Sequence, residues 1–238
     1  LKLSRTRSRP ADRVKAVLLL GPTGSGKTPL GRLMEKKGFL GRRCVHFDFG
    51  ESLRRVAGRL KPPYFLSREE VYVIRRSLET GALLEKKDLG IARKLLLGFL
   101  KRRRVAGSDI VVLNGIPRHR DQAEYLEPLL DVFLVVGLEA PAAVIMERIK
   151  RDPGGDRFGR EDDDETAVCA KMRSYKGRTE PLIGYYTGRG AALVTIKVTA
   201  SMTAEEAYRL VLGRLRRPSL VTERAEALPA DGLDEKKH

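Results

Sequence analysis

The octapeptide Gly21-Pro22-Thr23-Gly24-Ser25-Gly26-Lys27-Thr28 constrains the architecture of this chain more than any other stretch. It matches G-x-x-x-x-G-K-[ST]. It stands between the near-continuous apolar run at 14–20 and a segment with apolar residues at Leu30, Leu33 and Met34. The first pattern is that of a strand buried on both faces, the second that of a helix. Between such elements the glycines let successive backbone N–H groups wrap phosphate oxygens, and the helix N-terminus adds a positive dipole. In that setting Lys27 would reach the β- and γ-phosphates of a triphosphate, and Thr28 would offer its hydroxyl to Mg²⁺. Pro29 falls in the first helical turn, where its missing N–H costs little.

The rest of the chain repeats the alternation. Strands are predicted at 44–47, 110–113, 132–136 and 193–198. Helices are predicted at 51–60, 67–79, 91–100, 141–151 and 163–179. Ser67 with Glu70, and Thr203 with Glu206, form capping boxes, the second opening a last helix with Tyr208, Val211, Leu212 and Leu215 on one face. Strands alternating with helices imply an α/β fold, a five-stranded parallel sheet with helices on both faces and ligands at the C-terminal strand ends.

Four further segments, in order, name a chemistry. They are His46-Phe47-Asp48-Phe49-Gly50-Glu51-Ser52-Leu53-Arg54; Asn114-Gly115-Ile116-Pro117-Arg118 with Gln122; Gly159-Arg160-Glu161-Asp162-Asp163; and Tyr175 followed by Thr179-Glu180-Pro181-Leu182-Ile183-Gly184-Tyr185-Tyr186. Together with the glycine loop this set resembles the adenylate kinase family, the nucleoside monophosphate kinases, over about residues 14–216. The resemblance implies a P-loop NTPase fold with a core at 14–49 and 105–217, a small acceptor-binding lobe at 50–104 and a short lid at 151–160 that leaves no room for zinc. It implies transfer of the ATP γ-phosphoryl group to a nucleoside monophosphate, with AMP preferred. Arg54 and Arg118 would hold the acceptor phosphate beside Phe49, Gly50 and Gly115, and Gln122 would read the base. Arg148 would contact the donor nucleotide. Arg160 and Lys171 would clamp the transferring group with Lys27 and Arg118, with Arg157 a further lid arginine and Asp162 and Asp163 orienting the lid.

Three positions depart from the family pattern. Asn114 stands where the family has an Asp that organises Mg²⁺ through water, leaving Asn114 or Asp48 to approach the metal. Phe49 replaces a small polar residue, and Lys171 replaces an arginine fork with a point charge. On this reading, Asp at position 114 is expected to leave activity equal or higher.

Charge and cysteine content bound the alternatives. Lys and Arg number 47 against 31 Asp and Glu, a formal net charge of +16, which favours polyanionic partners. Nucleic acid is therefore a permitted partner. The same loop is similar to that of tRNA-modifying prenyltransferases, and a weakly catalytic nucleotide- or RNA-binding protein is a third reading. Cys44 and Cys169 stand alone, without the spacing of a disulfide framework or zinc site. The basic leader at 1–13 lacks the apolar stretch of a signal peptide, no segment reaches the length of a membrane span, and the polar tail at 218–238 is expected to be disordered. A monomeric cytoplasmic enzyme is expected.

Overall fold

The computed structural model describes residues 13–155 and 165–216. Residues 1–12 of the leader, half of the predicted lid with Arg157 and Arg160, the residues Asp162 and Asp163 expected to orient it, and the tail lie outside these residues.

Five strands form one parallel sheet: β1 (Val14–Leu20), β2 (Cys44–Asp48), β3 (Ile110–Asn114), β4 (Leu130–Glu139) and β5 (Ala192–Lys197). Their order is β2-β3-β1-β4-β5, with every neighbouring pair parallel. The continuous apolar runs have a simple cause. Side chains alternate between two covered faces, so each face needs its own hydrophobic set. Ala16, Leu18 and Leu20 of β1 enter one core with Val111 and Leu113 of β3. Val17 and Leu19 enter the other with Ile110 and Val112.

Helix α1 (Lys27–Lys37) covers the second face through Leu30 and Met34, beside α9 (Ala204–Leu215) with Ala207 and Val211. The first face is covered by α2 (Phe49–Ala57), α3 (Arg68–Thr80), α4 (Leu89–Arg102), α5 (Arg120–Leu126) and α8 (Leu182–Thr187). Between β4 and α8 in sequence lie α6 (Ala142–Arg151) and α7 (Glu165–Ser174). Both predicted capping boxes are formed, at Ser67–Glu70 and Thr203–Glu206.

Two local features differ from the predicted elements. The helix expected over 163–179 is an α-helix only to Ser174; Tyr175–Thr179 is a wider π turn, with Glu180 N–H donating to Tyr175 O at 2.9 Å. The short helices α5 and α8, of seven and six residues, fall below the length at which apolar periodicity declares a helix.

The topology fixes where a ligand can bind. From β1 the chain crosses to β2 on one side, and from β3 it crosses to β4 on the other. The crevice between the loops after β1 and β3 is the switch point of the sheet.

Candidate active site

Residues 21–28 turn directly out of β1 at that crevice. Gly26 is the N-cap of α1 with φ 95°, in the left-handed region that a side chain would strain, so glycine is what the turn requires. Lys27 lies over its own loop. Its Nζ donates to Gly21 O at 2.7 Å and to Pro22 O at 2.6 Å. Thr28 follows in the first turn, buried, its hydroxyl donating to Asp48 Oδ2 at 2.8 Å.

Asp48 ends β2 and caps α2, its Oδ1 accepting from Glu51 N–H at 2.8 Å. Asn114 ends β3 directly opposite, in register with Asp48. Its Nδ2 donates to Thr28 Oγ1 at 2.9 Å and to Asp48 Oδ2 at 2.8 Å. Burial works to raise the Asp48 pKa. The hydrogen bonds from Glu51 and Thr28, with the charges of His46 and Arg54, outweigh it and hold the carboxyl below its ordinary range.

The first turn of α2, which follows β2 directly, and the loop after β3 converge. A Cβ placed on Gly115 would lie 3.7 Å from Phe49 Cβ and 3.8 Å from Arg118 Nη2, and one on Gly50 would lie 3.4 Å from Arg54 Nη1. Both guanidinium side chains thus sit at the Gly50–Gly115 junction, and both residues are exposed. The backbone of Arg118 is pinned on two sides. Its N–H donates to Gln122 Oε1 at 2.9 Å, and its carbonyl accepts from the Thr179 hydroxyl at 2.8 Å. The π turn delivers Thr179 to this bond.

Gln122 and Phe49 have partners that the sequence did not disclose. Gln122 is 1% exposed, its Nε2 donating to Leu84 O at 3.1 Å. His119 Nε2 lies 3.0 Å from the same carbonyl. Phe49 is buried in the core, its ring centroid 6.2 Å from that of Phe47.

Arg148, at the C-terminal end of α6, is 5% exposed. Its Nε donates to Gly24 O at 3.0 Å, and its Nη1 to Thr199 O at 2.7 Å and Met202 O at 2.9 Å. It therefore braces the phosphate loop against the segment after β5. Beside it a shallow solvent-open groove runs between Ser25, Pro29, Pro153, Val198 and Met202. Lys171 lies on α7, half-buried.

His46 on β2 packs its ring against Gly31 of α1, where a Cβ would collide with Nε2. Burial is the main cause that lowers its pKa, with Arg32 adding to it, against Asp48, Glu35 and Glu51. A histidine with a depressed folded pKa contributes stability that is present above its unfolded pKa and lost as pH falls through the folded value. Thermal melts of the protein should therefore show stability falling as pH drops below about 6.5, the ordinary histidine value. In His46→Leu that slope should flatten, whatever the absolute melting temperature. An unchanged slope would show that His46 is not its source.

No family model matches the chain. Among solved structures, a gluconokinase from Sinorhizobium meliloti 1021 overlays with a TM-score of 0.50 at 17% identity, covering 88% of this chain and 95% of that one. It supports the fold alone. Sequence relatives go further. The chain is 32% identical over 185 residues to adenylate kinase from Xylella fastidiosa (strain M23), covering 74% of this chain and 88% of the relative. It is 31% identical over 207 residues to adenylate kinase from Thermus thermophilus, covering 84% and 97%. It is 26% identical over 210 residues to adenylate kinase isoenzyme 1 from Cyprinus carpio, covering 85% and 96%. A phosphate loop at the switch point, one arginine on α2 and one on the loop after β3, and this identity across nearly the whole of such relatives lead to one assignment: the chain belongs to the adenylate kinase family and is an ATP-dependent phosphotransferase.

Proposed function

We propose that the protein transfers the γ-phosphoryl group of ATP to a nucleoside monophosphate, with AMP the preferred acceptor. The observation that carries this reading is the convergence of two phosphate-binding halves. The loop with Lys27 leaves β1, while Arg54 and Arg118 meet at Gly50, in the first turn of α2, and Gly115, on the loop after β3. On this reading the donor triphosphate lies along residues 21–28, its base toward the groove beside Arg148. The acceptor phosphate lies between Arg54 and Arg118, and residues 50–104 form the lobe around it.

Phosphoryl transfer leaves the protein little covalent work. It needs in-line positioning, charge neutralisation and exclusion of water. Lys27 exchanges its two loop carbonyls for phosphate oxygens. Arg54 and Arg118 offer planar forks that grip phosphate oxygens in pairs and fix the acceptor's direction of attack. Gln122 Nε2 gives one of its two N–H groups to Leu84 O, so base reading through this amide is coupled to the position of that segment. Residues 151–160 act as the lid, and Lys171 of α7 offers a point charge to the transferring group.

Mg²⁺ fits the residues present. Thr28 and Asp48 place hard oxygen donors beside the phosphate loop, and Mg²⁺ is commonly held by one or two such groups with phosphate and water. When bound, it would neutralise charge on the β- and γ-phosphates. Among the described residues no group of three or more His, Cys, Asp or Glu side chains could cage a metal by itself, and no helix is long and apolar enough to cross a membrane.

The direct test is a coupled assay with ATP and Mg²⁺ against AMP, dAMP, CMP, UMP and GMP. Formation of ADP with AMP, at a kcat/KM about tenfold or more above the pyrimidine nucleotides, is the expected result; tenfold corresponds to about 1.4 kcal/mol of discrimination. No turnover above an ATP-only control with any acceptor would overturn the reading.

A further inference from the structure

In this chain β3 ends in an amide and its neighbour β2 ends in a carboxylate. The two positions are partners in the parallel register, Asp48 opposite Asn114. With Thr28 they close a ring of three hydrogen bonds. Asn114 Nδ2 donates to Asp48 Oδ2 and to Thr28 Oγ1, and the Thr28 hydroxyl donates to the same Oδ2, all at 2.8–2.9 Å. One negative charge serves two donors at the mouth of the phosphate loop. A second carboxylate at position 114 would face Asp48 Oδ2 across a hydrogen-bond distance with no proton to share, an arrangement in which both cannot readily ionise.

Resting on the kinase reading above, we propose that Asp48 on β2 is the carboxylate that orients the nucleotide's divalent cation, and that Asn114 is its hydrogen-bond donor. The charge has moved one strand across the crevice rather than been lost. Three features support this. Asp48 Oδ2 shares the Thr28 hydroxyl, the other oxygen suited to the cation. Its Oδ1 is anchored by the Glu51 N–H, so the carboxylate is held in one orientation, as groups that tune a metal site must be. It also opens α2, the helix that carries Arg54, and so ties the cation side of the site rigidly to the acceptor side. The expectation from sequence that Asp at position 114 leaves activity equal or higher is thereby reversed: on this geometry that change introduces repulsion.

Asp48 as a helix cap alone is the competing account, and Asp48→Asn separates the two, because asparagine caps a helix as well as aspartate does. Mn²⁺ is titrated into the protein saturated with a non-hydrolysable ATP analogue, and free Mn²⁺ is read by electron paramagnetic resonance. Asp48→Asn should weaken Mn²⁺ binding by about 10–100-fold, the usual effect of removing an orienting group. Its affinity for the analogue in EDTA should be unchanged. Asn114→Asp alone should melt at a lower temperature in EDTA than the unaltered protein. The exchanged pair, Asp48→Asn with Asn114→Asp, restores one carboxylate and one donor around Thr28. It should regain both the melting temperature and most of the Mn²⁺ affinity. Mn²⁺ affinity in Asp48→Asn within about twofold of the unaltered protein, against that expected loss, would overturn the proposal while leaving the kinase reading intact. Failure of the unaltered protein to bind the analogue would overturn both.

Discussion

Lys27→Ala is expected to lower kcat/KM by about 10³-fold, near 4 kcal/mol of transition-state stabilisation, while leaving the fold in place. The loss is large because the reaction asks for charge at a fixed point. Negative charge shifts between the transferred group and its leaving oxygen, and an ammonium held beside them acts in a site from which water is excluded. Gly21 O and Pro22 O hold that ammonium over the loop, so little reorganisation separates its resting place from its task. The fold survives for a separate reason. Helix α1 is anchored by Thr28, Leu30, Gly31 and Met34, all buried, whereas Lys27 contributes nothing to the core. Alanine is also the best helix former at the position it would take. Circular dichroism and a thermal melt check the second half of the expectation, and steady-state kinetics the first. Near-normal kcat/KM would refute the role given to Lys27.

Much of this frame was legible in the sequence, because it rests on local rules. Strands β1 and β3 declared themselves as short apolar runs, and two-sided burial explains why those runs lack alternation. The capping boxes at Ser67 and Thr203 depend on residues three apart, and both formed. What stayed hidden depends on distance in the chain. The meeting of Asp48, Asn114 and Thr28 joins two strand ends, paired by the sheet register, to the first turn of α1, which no local pattern encodes. Leu84 O collects Gln122 and His119 from far along the chain, so a residue whose motif marks it as a base contact has a backbone partner as well. Arg148 matches a donor-binding position by motif, yet its guanidinium spends at least three hydrogen bonds on carbonyls of two separate loops. The motif around Phe49 puts that residue beside the acceptor site. Its Cβ lies next to Gly115, while its ring turns into the aromatic core around Phe47 and Phe99.

Arg118 offers the sharpest test of the acceptor half, since its backbone and side chain do different things. The backbone is pinned by Gln122 and Thr179, and neither bond involves the guanidinium. Arg118→Ala should therefore keep the loop after β3 where it is and remove only the fork. A loss in kcat/KM of about 10³-fold is expected, within the range seen when one arginine that stabilises a transferring phosphoryl group is removed. Arg118→Lys decides what kind of contribution this is. Lysine restores the charge but not the planar pair of donors, so a point-charge role predicts near-complete recovery and an orienting role predicts recovery of only a small part. The convergence of Arg118 and Arg54 at Gly50 and Gly115 favours orientation, because two forks approaching one phosphate from a helix and an adjoining loop fix its direction as well as its charge. Arg118→Lys should thus remain at least about tenfold below the unaltered enzyme, with the deficit in kcat as well as in KM for the acceptor. Full recovery in the lysine variant would remove the fork from the mechanism and leave Arg118 a source of charge alone.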